Sequence, residues 1–528
     1  MSIWGQVKMY GRFAWGLKQY LESPLTLQQS RDLVLQRLRN RERNLLFLAK
    51  KAIYENASSP YRALLDLAHC TYEDFERTVR QDGAEETLKK LAQEGVCLSV
   101  DEFKGTKEII RSGKSFPIAQ GAFDNPLSAR HFMAASGMTR SAGTRTMYDL
   151  NYLTEDLAAY LSVSFDIYRA KNTAVALWLP IMPGAGPLFV LGSTKAGKVP
   201  CKWFTPVGIR GPGVSLKDRV GTQFLLTAGR LHGTRWPAPE YTALEDASKV
   251  AEWLGAFTKE NGGCFFGTYA SAAVRICRAA AQRGIAMEGT QFFTTGEPLT
   301  EAKRKEIESS GAILLPYYAF IEVGAVGYGC FNPIAADEIH FFKDKLALVQ
   351  HHREVPHANA SVNAFLFTTL MPSAPKVLLN VESGDYGTVT SRRCGCGFEE
   401  LGFADHIHAI RGYDKLTGEG MTFVSTDLVR ILEEILPARF GGSSTDFQMV
   451  EEEDEKGHTY LSIVASPRLG AVDEADLIRT VLDELGKGAA GRKMMSTLWN
   501  QAKTLRVQRV EPFVTARGKL MPLHIHRH

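Results

Sequence analysis

From about residue 130 to 400, runs with helical spacing alternate with short apolar runs. No other feature restricts the chain so strongly, because such alternation is the pattern of α/β layers. The Ala/Arg-rich run 270–284 reads as a helix. Phe292 and Phe293 end a strand-like run, 294–298 forms a turn, and Thr300 is placed to cap a helix over 301–309. A further buried strand is expected at 312–315. The apolar stretch 173–191 approaches the length of a membrane span. It carries Pro180, Pro183, Pro187 and two glycines, which makes it a buried strand and turn instead. GSTKAGKV (192–199) nearly matches a phosphate-binding loop, but Val199 stands where a magnesium-binding hydroxyl is needed, and it reads as a hairpin turn.

The flanks differ from this body. Residues 1–115 read mostly helical, with Leu33, Leu35, Leu38, Leu45, Leu46 and Leu48 among basic residues and helical spacing again over 72–91. The opening segment mixes Trp, Tyr and Lys/Arg, as membrane-surface helices do; docking on the body is the preferred reading. After Asp405 two helical runs (426–435, 473–485) alternate with strands (445–450, 459–465), and the acidic run 451–455 reads as a solvated hairpin tip. The expected organisation is an N-terminal helical segment (1–115), an α/β body (116–404) and a small α+β domain (405–528). A length of 528 residues also favours two or three domains. A net charge of +4 argues against nucleic acid as a partner. Eight scattered cysteines form no disulfide framework and point to a reducing cytoplasm. The opening lacks the apolar core of a signal peptide, and no transmembrane segment is expected.

Six short segments carry chemistry, and their order is more specific than any one of them: SGMTRSAGTR (136–145), TTGEPLT (294–300), YAFIEVG (318–324), SGDYG (383–387), DHIHAIRG (405–412) and TARGK (515–519). Read as phosphate loop, nucleotide turn, aromatic-plus-Glu, ribose Asp, hinge and late Lys, the series resembles the adenylate-forming superfamily. The branch it most resembles is the phenylacetate–CoA ligase family. The resemblance covers most of the chain from about residue 60, including 80–105. It implies a large body with a small mobile C-terminal domain. It also implies an enzyme that activates a carboxylic acid with ATP and passes the acyl group to a thiol, most simply CoA.

Site residues are implied by the same resemblance. Small residues let backbone N–H groups approach polyphosphate, so Ser136, Gly137 and Thr139 would hold it, with Arg140 or Arg145 adding charge. Thr295, Gly296, Glu297 and Pro298 would pack against adenine and the α-phosphate. Tyr318 would cover the adenine face, and Glu322 would hold Mg2+, a hard cation suited to carboxylate oxygen. The later segment YGCFN (328–332) competes for this alignment, but puts Asn332 where the Glu is needed. Asp385 would accept both ribose hydroxyls. Arg411 belongs to the hinge motif; with Leu401, Gly402 and Phe403 in place of the usual arginine before the hinge, Arg392 or Arg393 stands in for that contact. Lys519 would stabilise charge developing between carboxylate and α-phosphate, and Thr139, Glu322 and Lys519 form the catalytic set.

Cys330, His340, Cys394 and Cys396 form a second constellation, three sulfurs and one nitrogen, which suits a closed structural Zn2+ site. Similar Cys/His ligands occur in some members of the phenylacetate–CoA ligase branch. Trp178, Phe189, Trp203 and Phe204 are equally suited to an apolar acid pocket and to the core. The acyl acceptor stays open between CoA, a carrier protein, a protein cysteine and an amine. Arg140, Ala319 and Phe403 depart from the family pattern, which keeps a degenerate nucleotide-binding relative as the rival reading. The carboxylic acid is not legible, and a homodimer is compatible with the chain.

Overall fold

Cys264–Tyr269 and Thr290–Thr295 are apolar and β-branched runs, buried almost throughout, and they lie parallel to each other. Strands of that composition need cover on both faces, and they sit inside a twelve-stranded sheet. The computed structural model describes residues 3–116, 118, 121–129, 132–135, 145–210, 214–296, 299, 301–354, 361–412, 415–418, 421–424, 431–442, 446–453, 459–487, 505–513 and 523–525. Six strands of the sheet run parallel, in the order Glu240–Tyr241, Lys202–Thr205, Ala174–Trp178, Cys264–Tyr269, Thr290–Thr295 and Ile313–Phe320. Six more continue it antiparallel, in the order Gly324–Gly329, Ile339–Phe341, Asp405–Gly412, Val381–Ser391, Ser361–Thr369 and Leu346–Glu354. The change of direction falls at the hairpin between Ile313–Phe320 and Gly324–Gly329.

The stretch 173–191 holds the expected buried strand, Ala174–Trp178, and then a Pro/Gly turn. The hairpin expected at GSTKAGKV is not formed: its first four residues are instead the end of the helix Gly186–Lys195. Lys195 is spent there, donating from Nζ to the carbonyls of Tyr20 and Ser23, both at 2.7 Å. Trp178, Phe189, Trp203 and Phe204 are all core residues, at most 4% exposed. Both indoles are satisfied by backbone, Trp178 Nε1 donating to Thr242 O and Trp203 Nε1 to Leu179 O.

The N-terminal region is helical as expected, with capping boxes where the sequence places Thr or Ser three residues before Gln, Asp or Glu: Thr26 with Gln29, Thr71 with Asp74, Ser99 with Glu102. The helical spacing over 72–91 resolves into two helices, Tyr72–Asp82 and Ala84–Gln93. The first helix, Ile3–Glu22, docks on the body through Phe13, Leu17 and Tyr20, each at most 4% exposed.

In the C-terminal region a four-stranded sheet, in the order Leu505–Gln508, Thr459–Ala465, Phe447–Glu453 and Leu523–Ile525, accompanies the helix Glu474–Gly486. Residues 451–453 of the acidic run extend a strand, and 454–458 lie outside the described residues. Only the end of the helix expected over 426–435 is described, as Ile431–Ile435 continued by Leu436–Phe440. The junction expected at Asp405 falls within the large sheet, because Asp405–Gly412 pairs with strands on both sides. The chain leaves that sheet only after Gly412. No described helix is long and apolar enough to cross a membrane.

Candidate active site and candidate metal centre

In sheets of this kind ligands bind beyond the carboxyl ends of the parallel strands. Tyr269, Thr295 and Tyr317 stand there side by side, Tyr269 opposite Thr295 and Pro316 opposite Thr294. The Thr295 hydroxyl is hydrogen-bonded to Tyr317. Gly296 comes next with φ of +87°, a left-handed turn conformation that a side chain would strain. Glu297 and Pro298 lie outside the described residues, as do Ser136, Gly137, Thr139, Arg140 and Lys519.

One residue beyond Tyr317, Tyr318 donates its hydroxyl to Asp385 Oδ2 at 2.6 Å. Two segments that lie far apart in sequence, the expected adenine aromatic and the expected ribose carboxylate, therefore touch. Burial, then the Asp385 charge, pushes the Tyr318 phenol well above its usual range, so it remains a donor. Glu322 occupies the turn between the two hairpin strands. Its side chain is only 6% exposed and has no hydrogen bond or ion pair with any described residue. A carboxylate so placed is costly without a cation; both the hard oxygen donor and its burial without a described partner fit Mg2+.

Burial weighs against the competing alignment. Tyr328 is 0% exposed, with Phe293, Tyr317 and Phe342 rings packed around it, which leaves no face for a nucleotide base. Asn332 instead donates from Nδ2 to Cys394 O at 2.9 Å. Two arginines are paired with acidic residues. Arg411, opposite Tyr386 on the strand that carries Asp385, donates from Nη1 to Asp337 Oδ2 at 2.9 Å. Arg392 forms a bidentate pair with buried Glu338, at 2.7 and 2.8 Å.

Cys330, His340, Cys394 and Cys396 do converge, and His406 joins them. The ligand atoms of Cys330, His340, Cys394 and His406 all lie within 4.8 Å of one another. Cys396 Sγ is 3.0 Å and Cys394 Sγ 3.6 Å from His340 Nε2. His340 Nδ1 donates to Phe403 O at 2.6 Å, and His406 Nδ1 to Ala404 O at 2.9 Å. Both Nε2 atoms are thereby left as lone-pair donors aimed inward, the arrangement found around metal-ligating histidines. His406 Nε2 is buried with no hydrogen-bond partner, the Glu338 carboxylate lying 3.8 Å away. Hydrogen bonding from Cys330 and the nearness of His340 hold the Cys396 thiol far below its usual range, while donation to Cys396, then burial, pushes Cys330 up. The surrounding chain is fixed: Glu399 accepts from the N–H groups of Cys394 and Gly395 at 2.7 and 2.6 Å.

His406 lies within the segment that resembles a hinge motif, and only strand pairing reveals its second role, since it sits directly opposite His340. This centre is distinct from Glu322. The six-residue strand Gly324–Gly329 separates them, and at about 3.4 Å per residue that is roughly 20 Å.

The sequence matches no protein-family model and no curated protein. Among solved structures, the chain is similar to 2-hydroxyisobutyryl-CoA ligase bound to its acyl-AMP and CoA, with a TM-score of 0.56, 12% identity, and 92% of this chain and 89% of that one covered. It is more distantly similar to o-succinylbenzoate CoA synthetase from Bacillus subtilis (TM-score 0.41, 11% identity, 97% of each chain). ATP-bound MatB from Rhodopseudomonas palustris is another such structure (TM-score 0.33, 13% identity, 77% and 68%). The first of these shows the fold it shares with this chain: a large mixed α/β body with a small α+β C-terminal part.

Proposed function

We propose that the chain is an ATP-dependent acid–thiol ligase of the phenylacetate–CoA ligase type, with CoA as acceptor. In the first half-reaction a substrate carboxylate oxygen attacks the α-phosphorus, the bond to the β-phosphate breaks, and pyrophosphate leaves. In the second a thiolate attacks the acyl carbon, the C–O bond to AMP breaks, and AMP leaves. The single observation that carries this reading is Glu322, a buried carboxylate without a described partner, in the turn just after a Tyr318–Asp385 pair at the carboxyl ends of parallel strands. Asp385 would take the ribose hydroxyls and Tyr318 the adenine face, while Ser136, Gly137, Thr139 and Arg140 would surround the phosphates. Thr295, Gly296, Glu297 and Pro298 would line the base and α-phosphate. Mg2+ held at Glu322 would offset phosphate charge. Arg411, held by Asp337 on the strand beside Asp385, would add positive charge near the nucleotide.

ATP–pyrophosphate exchange with a panel of carboxylic acids tests the proposal. Exchange that depends on one class of acid supports it, and ATP binding without exchange for any acid points to the non-catalytic rival. Acyl transfer to CoA, compared with a phosphopantetheine carrier and an amine, then fixes the acceptor.

The cysteine–histidine centre is a structural Zn2+ site in this reading, closed and remote from Glu322. Purified protein is expected to contain about one zinc per chain. Cys394→Ser should release it and destabilise the fold by about 3 kcal/mol or more, in the range where loss of a metal falls. His406→Gln and Cys396→Ser, compared by zinc content, identify the fourth ligand. His406, whose Nε2 is the orphaned atom, is expected to be the one that matters more. Zinc-free protein from a chelator-free preparation overturns the assignment.

A further inference from the structure

The turn that carries Glu322 is held on both sides by side chains that no motif includes. The carbonyl before it, Ile321 O, accepts from the Tyr148 hydroxyl at 2.6 Å. The carbonyl after it, Val323 O, accepts from Lys345 Nζ at 2.7 Å and from the Tyr152 hydroxyl. Lys345 is itself paired with Asp156, each 2% exposed. Gly324 then lets the turn settle onto this group: it has φ of +70°, and a Cβ there would meet the Asp156 carboxylate and, at 2.7 Å, the Tyr152 hydroxyl.

These anchors come from a telling place in the chain. Tyr148 ends the strand Arg145–Tyr148, which begins directly after residues 136–144 of the phosphate segment. Tyr152 lies in the next helix, Leu150–Leu153, with its ring 5.6 Å from that of Tyr148. Tyr148 is 2% exposed, and burial, then the nearby Asp156 and Glu322 charges, keeps its phenol protonated and donating. The chain that leaves the phosphate segment is thus bonded directly to the backbone that presents the metal carboxylate.

We propose that Tyr148, opposed by Tyr152 and Lys345, is a positioning residue that fixes the backbone on either side of Glu322 and thereby sets how its carboxylate meets a divalent cation. The inference rests on the reading of Glu322 as the metal ligand. Glu322 itself makes no bond to a described residue, so its placement depends on the two carbonyls beside it.

Tyr148→Phe keeps the ring and removes only the hydroxyl bond. Binding of Mn2+ to the full-length protein in the presence of ATP, monitored by electron paramagnetic resonance, needs no knowledge of the acid. The variant is expected to bind the Mn2+·ATP pair about three- to tenfold more weakly, the loss of one ordinary hydrogen bond, with its thermal midpoint almost unchanged. Combined with Glu322→Gln, it should add little further loss, since the two act through one contact. A merely structural Tyr148 would lower the thermal midpoint and leave Mn2+ binding as in the parent, and that result overturns the inference. If Glu322→Gln weakens Mn2+ binding but Tyr148→Phe does not, the positioning role alone fails. If Glu322→Gln has no effect either, the reading of the site fails with it.

Discussion

Lys519→Ala is expected to lower acyl-adenylate formation by about two to three orders of magnitude, the effect of losing one preorganised charge donor at a developing anion. Consumption of synthetic acyl-AMP by the acceptor should fall much less, because in the proposed function Lys519 serves the first half-reaction. Pyrophosphate exchange and single-turnover thioester formation from acyl-AMP separate the two. Equal losses in both would remove Lys519 from the catalytic set. Lys519 lies outside the described residues, so this experiment bears on a role that only the TARGK motif and its place after the hinge motif suggest.

Glu322→Gln should raise the Mg2+ concentration needed for half-maximal exchange by at least about ten- to a hundredfold, the range lost when even a supporting contact to a metal ligand is removed. The substitution keeps the shape of the side chain and deletes its charge. Folding should be unaffected or slightly improved, since an uncompensated buried carboxylate costs free energy in the apo protein. A magnesium titration beside a thermal melt checks both halves. Asn332→Ala, at the centre of the competing alignment, should leave the magnesium requirement unchanged, as Asn332 serves the Cys394 loop.

The sequence made legible whatever is local. Helix starts at Thr26, Thr71 and Ser99 are set by a residue and its partner three places on. The turn after Thr290–Thr295 needs a glycine, and Gly296 takes a left-handed conformation there. Illegible were the features made by pairing between distant strands. His406 reads in sequence as part of a hinge motif; that it faces His340 depends on a register between Ile339–Phe341 and Asp405–Gly412 that no local pattern encodes. Tyr148, Tyr152 and Lys345 act on backbone carbonyls, which every residue possesses, so nothing in their targets marks them in the sequence. The Gly-containing run 192–199 reads as a hairpin turn but begins as the end of a helix, because Lys195 there satisfies two carbonyls at the end of another helix, a contact made only by the fold. Tyr318 and Tyr328, equivalent by spacing, differ in the fold because only the Tyr328 ring is fully enclosed.

The strand Asp405–Gly412 has hydrogen-bonded neighbours on both sides and carries His406 into the cysteine–histidine cluster. Near its far end Asp337 accepts from the N–H groups of Ala409 and Ile410, each at 2.8 Å, and from Arg411. In the proposed ligase, where a small domain would turn between half-reactions, this strand would be the fulcrum and not the lever. Held by neighbours on both sides and at its far end by a carboxylate, it would pass little of the torque of that motion to Tyr318 and Asp385.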